Sequence, residues 1–191
     1  MKKDIILAGV GGQGILSVAA VIGMAAMENN LFVKQAEVHG MSQRGGAVMS
    51  HLRISSEEIY SDLIQIGGAD IILSVEPMES LRYLEYLSSE GWLITNTKPY
   101  VNVPDYPDLD KLLAEINSLP HSIAFDANEI ALRLKAPKAS NIVMVGAAAP
   151  YLDIPYEKVE DGIRKLFGRK GEEVVEINLR ALKAGREAAE G

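Results

Sequence analysis

The sequence predicts an α/β fold, a doubly wound and mostly parallel sheet with helices on both faces and a hairpin at one edge. Three observations predict it. First, the apolar run Ile5-Ile6-Leu7-Ala8 leads into Gly9-Val10-Gly11-Gly12-Gln13-Gly14, and a long apolar segment, Ile15 to Met27, leads out. Strand, tight glycine turn and helix in that order open a Rossmann-like three-layer α/β/α unit. Second, Ile71-Ile72-Leu73-Ser74-Val75 is apolar without alternation, the pattern of a parallel strand covered on both faces. Third, such runs alternate with segments of helical spacing along the chain.

The elements follow in order. A first helix is expected from Gly12 to about Glu28, ended by Asn29-Asn30. It has almost no polar face, so both sides should be covered, one by the sheet and one by something else. A small domain has little left to supply that second cover, which points to a partner subunit. Leu31 to Val38 reads as the second strand, and a glycine-rich loop follows through Gly46. Val48 to Ile54 alternates with period two, and Ile59-Tyr60-Ser61 is expected to return beside it as the edge hairpin. Pro77 suits a helix start, where its missing N–H costs nothing, and Leu81, Leu84 and Leu87 carry helical spacing to about Ser88. Gly91 then stops that helix before the strand Trp92 to Thr95.

Asn96 to Asp108 holds three prolines and two tyrosines, an irregular loop long enough to need a purpose. A short amphipathic helix is expected over Leu109 to Leu119, a strand over Ser122 to Phe125, and a helix capped by Asp126 through about Leu134. Asn141 to Ala149 suits either a strand or a closely packed helix, and its Gly146-Ala147-Ala148-Ala149 end favours the helix. Pro155 begins a helix with Val159, Ile163, Leu166 and Phe167 on one face. Glu172 to Glu190 closes the chain as a helix with the stripe Leu179, Leu182, Ala184.

Length and composition bound the function. With 191 residues, 48% of them hydrophobic, the chain can bury a real core, and without a repeat or linker it reads as one domain over 1–191. A net charge of -7 argues against a nucleic-acid partner. The absence of cysteine excludes disulfides, a thiol nucleophile and a cysteine-ligated zinc or iron–sulfur cluster on this chain, and it fits a reducing compartment. Asp4 and the early glycines interrupt any signal-peptide core, and Ile15 to Met27 is too short for a membrane span, so the expected location is the cytoplasm.

Two segments carry candidate chemistry. Gly9, Gly11 and Gly14 fit G-x-G-x-x-G, so Gly9, Gly11, Gly12, Gln13 and Gly14 are the candidate cofactor-binding turn. The turn could equally serve backbone geometry alone. A dinucleotide reading wants an acid at the end of the second strand, where Glu37 stands, but Gln13 is bulky and no catalytic domain accompanies the turn. The second segment places His39, Ser42, Gln43, Arg44, Gly45 and Gly46 near the carboxyl ends of the strands, as a crevice or a subunit contact. Arg44 could pair with a phosphate or a partner carboxylate. Glu76 is either an ordinary acid at a helix start or a further crevice residue. His51 reads as a structural or surface histidine, His121 carries no signal, and three scattered histidines make no metal site. No nucleophile elbow or catalytic triad is present.

Taken together, these residues resemble a known family. Gly9-x-Gly11-Gly12-Gln13-Gly14, then His39-Gly40-Met41-Ser42-Gln43-Arg44-Gly45-Gly46-Ala47-Val48-x-Ser50-His51-x-Arg53-Ile54, is similar to the gamma-type domain of the 2-oxoacid:ferredoxin oxidoreductases. Ala69-Asp70, Glu76-Pro77, Glu79, Leu81-Arg82, Asn96-Thr97 and Lys138-Ala139-Ser140-Asn141 continue the match over nearly the whole chain. Within the family, the Glu37-x-His39-Gly40-Met41-Ser42-Gln43-Arg44-Gly45-Gly46 form resembles the beta (small) subunit of the indolepyruvate branch. The resemblance implies a subunit inactive alone, in a complex that decarboxylates an aryl-2-oxoacid, reduces ferredoxin and forms an acyl-coenzyme A. It places thiamine diphosphate and iron–sulfur clusters on a large alpha subunit and leaves this chain a possible coenzyme A contact. Two further readings stay open: a gamma subunit acting on pyruvate or another 2-oxoacid, and a free-standing dinucleotide-binding redox protein.

Overall fold

The computed structural model describes residues 1–39, 45–101 and 103–191, with the backbone only at His39. One six-stranded sheet in the order β2-β3-β1-β4-β5-β6 organises them. Its strands are β1 (Lys2–Val10), β2 (Phe32–His39), β3 (Ala47–Ser55), β4 (Ala69–Ser74), β5 (Leu87–Asn96) and β6 (Ser122–Phe125). β1, β4, β5 and β6 are parallel neighbours, whereas β3 runs antiparallel to both β1 and β2. The helices are α1 (Ile15–Glu28), α2 (Pro77–Arg82), α3 (Leu109–Ser118), α4 (Ala127–Arg133), α5 (Ser140–Ala148), α6 (Tyr156–Phe167) and α7 (Glu172–Glu190). The expected α/β arrangement is therefore present.

Strand periodicity builds two cores. Ile5, Leu7, Ile71, Leu73 and Ile94 face a large cluster with α1, α5, α6 and α7. Their neighbours Ile6, Ile72 and Leu93 face a smaller one with Ile116 of α3. Each apolar run thus lines both faces of the sheet, as a covered parallel strand must.

Four expectations are corrected. The first helix starts at Ile15, because Gly12 and Gly14 hold φ of 101° and 85°. Its second side is covered from within the chain: α6 lies so close that a β-carbon on Gly162 would sit 2.6 Å from the carbonyl oxygen of Val21. That apolar helix is accordingly no sign of a partner; only Leu16 and Met27 remain exposed among its large apolar residues. The edge hairpin is β2 and β3, paired from Phe32 with Ser55 to His39 with Val48. Ile59-Tyr60-Ser61 is not a strand but part of a loop. Arg53 holds it by donating to the carbonyls of Ser61 and Leu63 at 3.0 and 3.1 Å. Finally, α2 ends at Arg82, a 3-10 turn spans Leu84–Tyr86, and β5 begins at Leu87, with Gly91 inside the strand. The three-residue spacing of Leu81, Leu84 and Leu87 suits a 3-10 turn as well as an α-helix.

The ambiguous segment is helical, as α5. It crosses α7 at very short range: β-carbons on Gly146 and Gly185 would lie 2.0 Å from the Leu182 oxygen and 1.8 Å from the Val143 oxygen. The buried face of α7 is Asn178, Ala181, Leu182 and Gly185, one step around from the expected stripe.

Candidate ligand cleft at the glycine turn

The glycine turn is closed by its own glutamine. The Val10 N–H donates to Gln13 Oε1 at 2.7 Å, and the Gln13 N–H donates to the Val10 carbonyl at 3.1 Å. Gln13 is thus a clasp within the turn, which accounts for the bulky amide at this position. The Gly11 N–H donates to the Gly46 carbonyl at 2.8 Å, and the Gly45 N–H to the Gly11 carbonyl at 3.3 Å. These bonds tie the turn to the end of the β2–β3 connection. Gly14 caps α1 in the left-handed region, and Asn141 Nδ2 donates to its carbonyl at 3.2 Å.

Beside this turn lies a cleft of about 940 Å³ at the carboxyl ends of β4 and β5, reaching across to α5 and α7. Gly12, Gln13 and Gly14 form one wall. Lys135, Lys138 and Lys170 line it, and no aspartate or glutamate does so among the described residues. In a chain of net charge -7, that is a segregated patch of positive charge. None of the three lysines is ion-paired among the described residues; Lys170 instead lies 5.3 Å over the Phe167 ring. A β-carbon on Gly12 would meet nothing within 4 Å, so the turn faces open space. Glycine backbone, lysines and side-chain amides suit a phosphate-bearing ligand.

These lysines are not among the site residues expected from the sequence. For two of them a signal was present: between Glu129 and Asp153 there is no acidic residue, while Arg133, Lys135 and Lys138 fall in that stretch; Lys170 lies outside it. Asn96, also unremarked as a site residue, joins three elements. Its Nδ2 donates to the Val75 carbonyl at 3.1 Å and to Asn128 Oδ1 at 2.9 Å. Its Oδ1 accepts from the Ala127 N–H at 2.9 Å.

Glu76 caps α2 and is fully buried. Its Oε2 accepts from the Glu79 N–H at 2.8 Å, while Oε1 accepts from the Tyr100 N–H at 3.2 Å and from the Tyr106 hydroxyl. Glu76 therefore binds the loop after β5 and does not itself line the cleft, although Tyr100 does. Burial, with the Glu76 carboxylate next in weight, pushes the Tyr106 phenol far above its usual range. Burial also raises the Glu79 carboxyl, against the opposing pull of Arg82.

His39 ends β2; Ser42, Gln43 and Arg44 lie outside the described residues. His51 is buried rather than on the surface, and its Nδ1 accepts from the Ile64 N–H at 3.1 Å, the structural one of the two expected roles. His121 stacks on Trp92 at 5.1 Å, with a buried Nδ1 lacking a partner among the described residues. Glu37 ends a strand separated from β1 by β3, so the acid of the dinucleotide reading stands one strand too far from the turn.

The model of the pyruvate ferredoxin/flavodoxin oxidoreductase family matches residues 4–188. The chain belongs to that family. It is 39% identical to indolepyruvate oxidoreductase subunit IorB of Archaeoglobus fulgidus, over 97% of this chain and 94% of that one. Its fold matches pyruvate oxidoreductase subunit PORC of Thermotoga maritima, with a TM-score of 0.75, 25% identity, and 97% and 96% of the two chains covered. It also matches, at a TM-score of 0.76 and 24% identity, the 2-oxoglutarate:ferredoxin oxidoreductase of Magnetococcus marinus, solved with 2-oxoglutarate, coenzyme A and succinyl-CoA bound. The match spans 99% of this chain and 31% of that one. Among the described residues, no helix of this family member is long and apolar enough to cross a membrane.

Proposed function

We propose that the chain is the small subunit of an indolepyruvate-type oxidoreductase, working in the cytoplasm as one gamma-type domain over 1–191. Its end-to-end likeness to an indolepyruvate oxidoreductase subunit carries the reading. The complex oxidatively decarboxylates an aryl-2-oxoacid to an acyl-coenzyme A and passes the electrons to ferredoxin. Thiamine diphosphate supplies the carbanion chemistry and iron–sulfur clusters the electron path, and both belong to the large subunit. This chain offers no cysteine to ligate a cluster.

The chain's own contribution is a contact to the coenzyme A nucleotide. The acid-free cleft fits that group: Gly12 leaves room for a phosphate, and Lys135, Lys138 and Lys170 balance its charge. The segment containing His39, Ser42, Gln43 and Arg44 takes the crevice or subunit contact.

The test is reconstitution. The purified chain alone should show no oxoacid-dependent reduction of ferredoxin, and adding the large subunit should restore it. Full turnover by the chain alone would refute the subunit reading. In the complex, Lys138→Glu with Lys170→Glu should raise the KM for coenzyme A and leave that for the oxoacid unchanged. If neither constant moves, the cleft is structural. A panel of 2-oxoacids separates the indolepyruvate branch from a pyruvate-type subunit, the alternative that the likeness to PORC keeps in view.

A further inference from the structure

Tyr100 differs from the rest of the cleft lining. It is an aromatic side chain, 45% exposed, in a lining that also holds lysines, amides, glycines and aliphatic residues such as Met144 and Ile177. Phe167, the other aromatic residue of the lining, is largely buried beneath Lys170. A half-exposed large ring lining a cleft of mixed polarity has unused apolar area. Flat π-systems stack on such rings with little demand for hydrogen-bond geometry.

The position of Tyr100 is built from behind. Its N–H donates to Glu76 Oε1, and the Tyr106 hydroxyl donates to the same oxygen. Glu76 is fully buried and fixed by its second oxygen to the first turn of α2. A buried carboxylate is costly unless its acceptors are filled. Here the loop after β5 fills them, which fixes the backbone of Tyr100 in the cleft lining that it shares with Asn96 and Asn128. The cationic residues occupy other elements, the segment after α4 and the 3-10 turn Gly168–Lys170.

Resting on the coenzyme A reading above, we propose that Tyr100 is the platform on which the nucleotide's base stacks, while the lysines and glycine turn hold its phosphates. Glu76 and Tyr106 are positioning residues that set this platform through the loop. The cleft then distinguishes a nucleotide from a bare phosphate, the lysines contributing affinity and Tyr100 contributing selectivity.

Calorimetric titration of the full chain with coenzyme A and, separately, with inorganic pyrophosphate tests this. Tyr100→Ala should weaken coenzyme A about tenfold, within the range found for removal of a stacking ring, and leave pyrophosphate unchanged. Tyr100→Phe should restore coenzyme A binding. Tyr106→Phe should lower the ratio of coenzyme A to pyrophosphate affinity, a readout that general loss of stability would not move. If Tyr100→Ala weakens both ligands equally, or neither, the platform is refuted while the anion cleft stands. If the wild-type chain binds the two ligands equally, the base contributes nothing and the proposal fails. If it binds neither, the coenzyme A contact fails with it.

Discussion

Gly185→Ala places a methyl group where α5 and α7 touch. The new β-carbon would stand 1.8 Å from the Val143 carbonyl oxygen, 2.7 Å from its carbon and 3.0 Å from its Cα. A relaxed carbon–oxygen contact is about 3.3 Å, so α7 must retreat by about 1.5 Å or tilt. The neighbours are backbone atoms and cannot rotate away. A gap of about 1 Å forfeits up to half of each dispersion contact along the seam, and that seam buries Ala181 and Leu182 against Val143 and Gly146. Overpacking of this kind costs about 1–3 kcal/mol or more, and the gain in helix propensity returns about 1 kcal/mol. Because the obstructing atoms are backbone the upper end of that cost applies, so a net loss of about 2 kcal/mol is expected, lowering Tm by about 4–8 °C for a chain of this size. Urea unfolding followed by circular dichroism reads it as a lower midpoint at unchanged slope. Gly168→Ala is the control, since φ is -54° there and a β-carbon meets nothing within 4 Å. If Gly185→Ala matched the wild type, the helix crossing would not be the close contact described.

Other perturbations test the remaining elements. Asp4→Ala removes the carboxylate that holds Arg53 at 2.7 and 3.0 Å, leaving a largely buried guanidinium with carbonyl partners only; a loss of about 3 kcal/mol and faster proteolysis within 56–68 should follow. Unchanged stability would deny the pair its role. His51 is held below its ordinary value, by burial first and Arg53 second. The unfolded chain therefore takes up the proton first, and this contribution is complete above 6.5 and is lost as pH falls from there toward the lower folded value. Glu79, raised chiefly by burial, works oppositely above its own unfolded value, so the measurement is the difference between wild type and His51→Gln. Urea midpoints at several pH values should fall less steeply with acidification in the variant; parallel curves would refute the assignment. Gly14→Ala meets φ of 85° and Asn141 Nδ2 at 2.5 Å, so a loss of about 1–2 kcal/mol is expected, with pyrophosphate binding weakened in the same variant.

What the sequence alone determined was the local geometry. The β1–glycine turn–α1 unit, the buried run of β4, the Asp126 cap of α4 and the extent of α7 were legible, because each rests on residues within a few positions of one another. Spacing of three could not separate a helix from a 3-10 turn at Leu84, and period two could not name the partner of β3. Only the tertiary structure decided that β3 stands between β2 and β1, and that α6 covers α1. It alone joined Glu76 to Tyr106, and Asn141 to Gly14 across 127 positions. Lys135 and Lys138 were visible within an acid-free stretch, yet only folding brought them beside Lys170 and the glycine turn. Backbone propensity is set by near neighbours, whereas burial, pairing order and a charged cleft arise from contacts between distant segments. The glycine turn could therefore be read in advance, and what faces it could not.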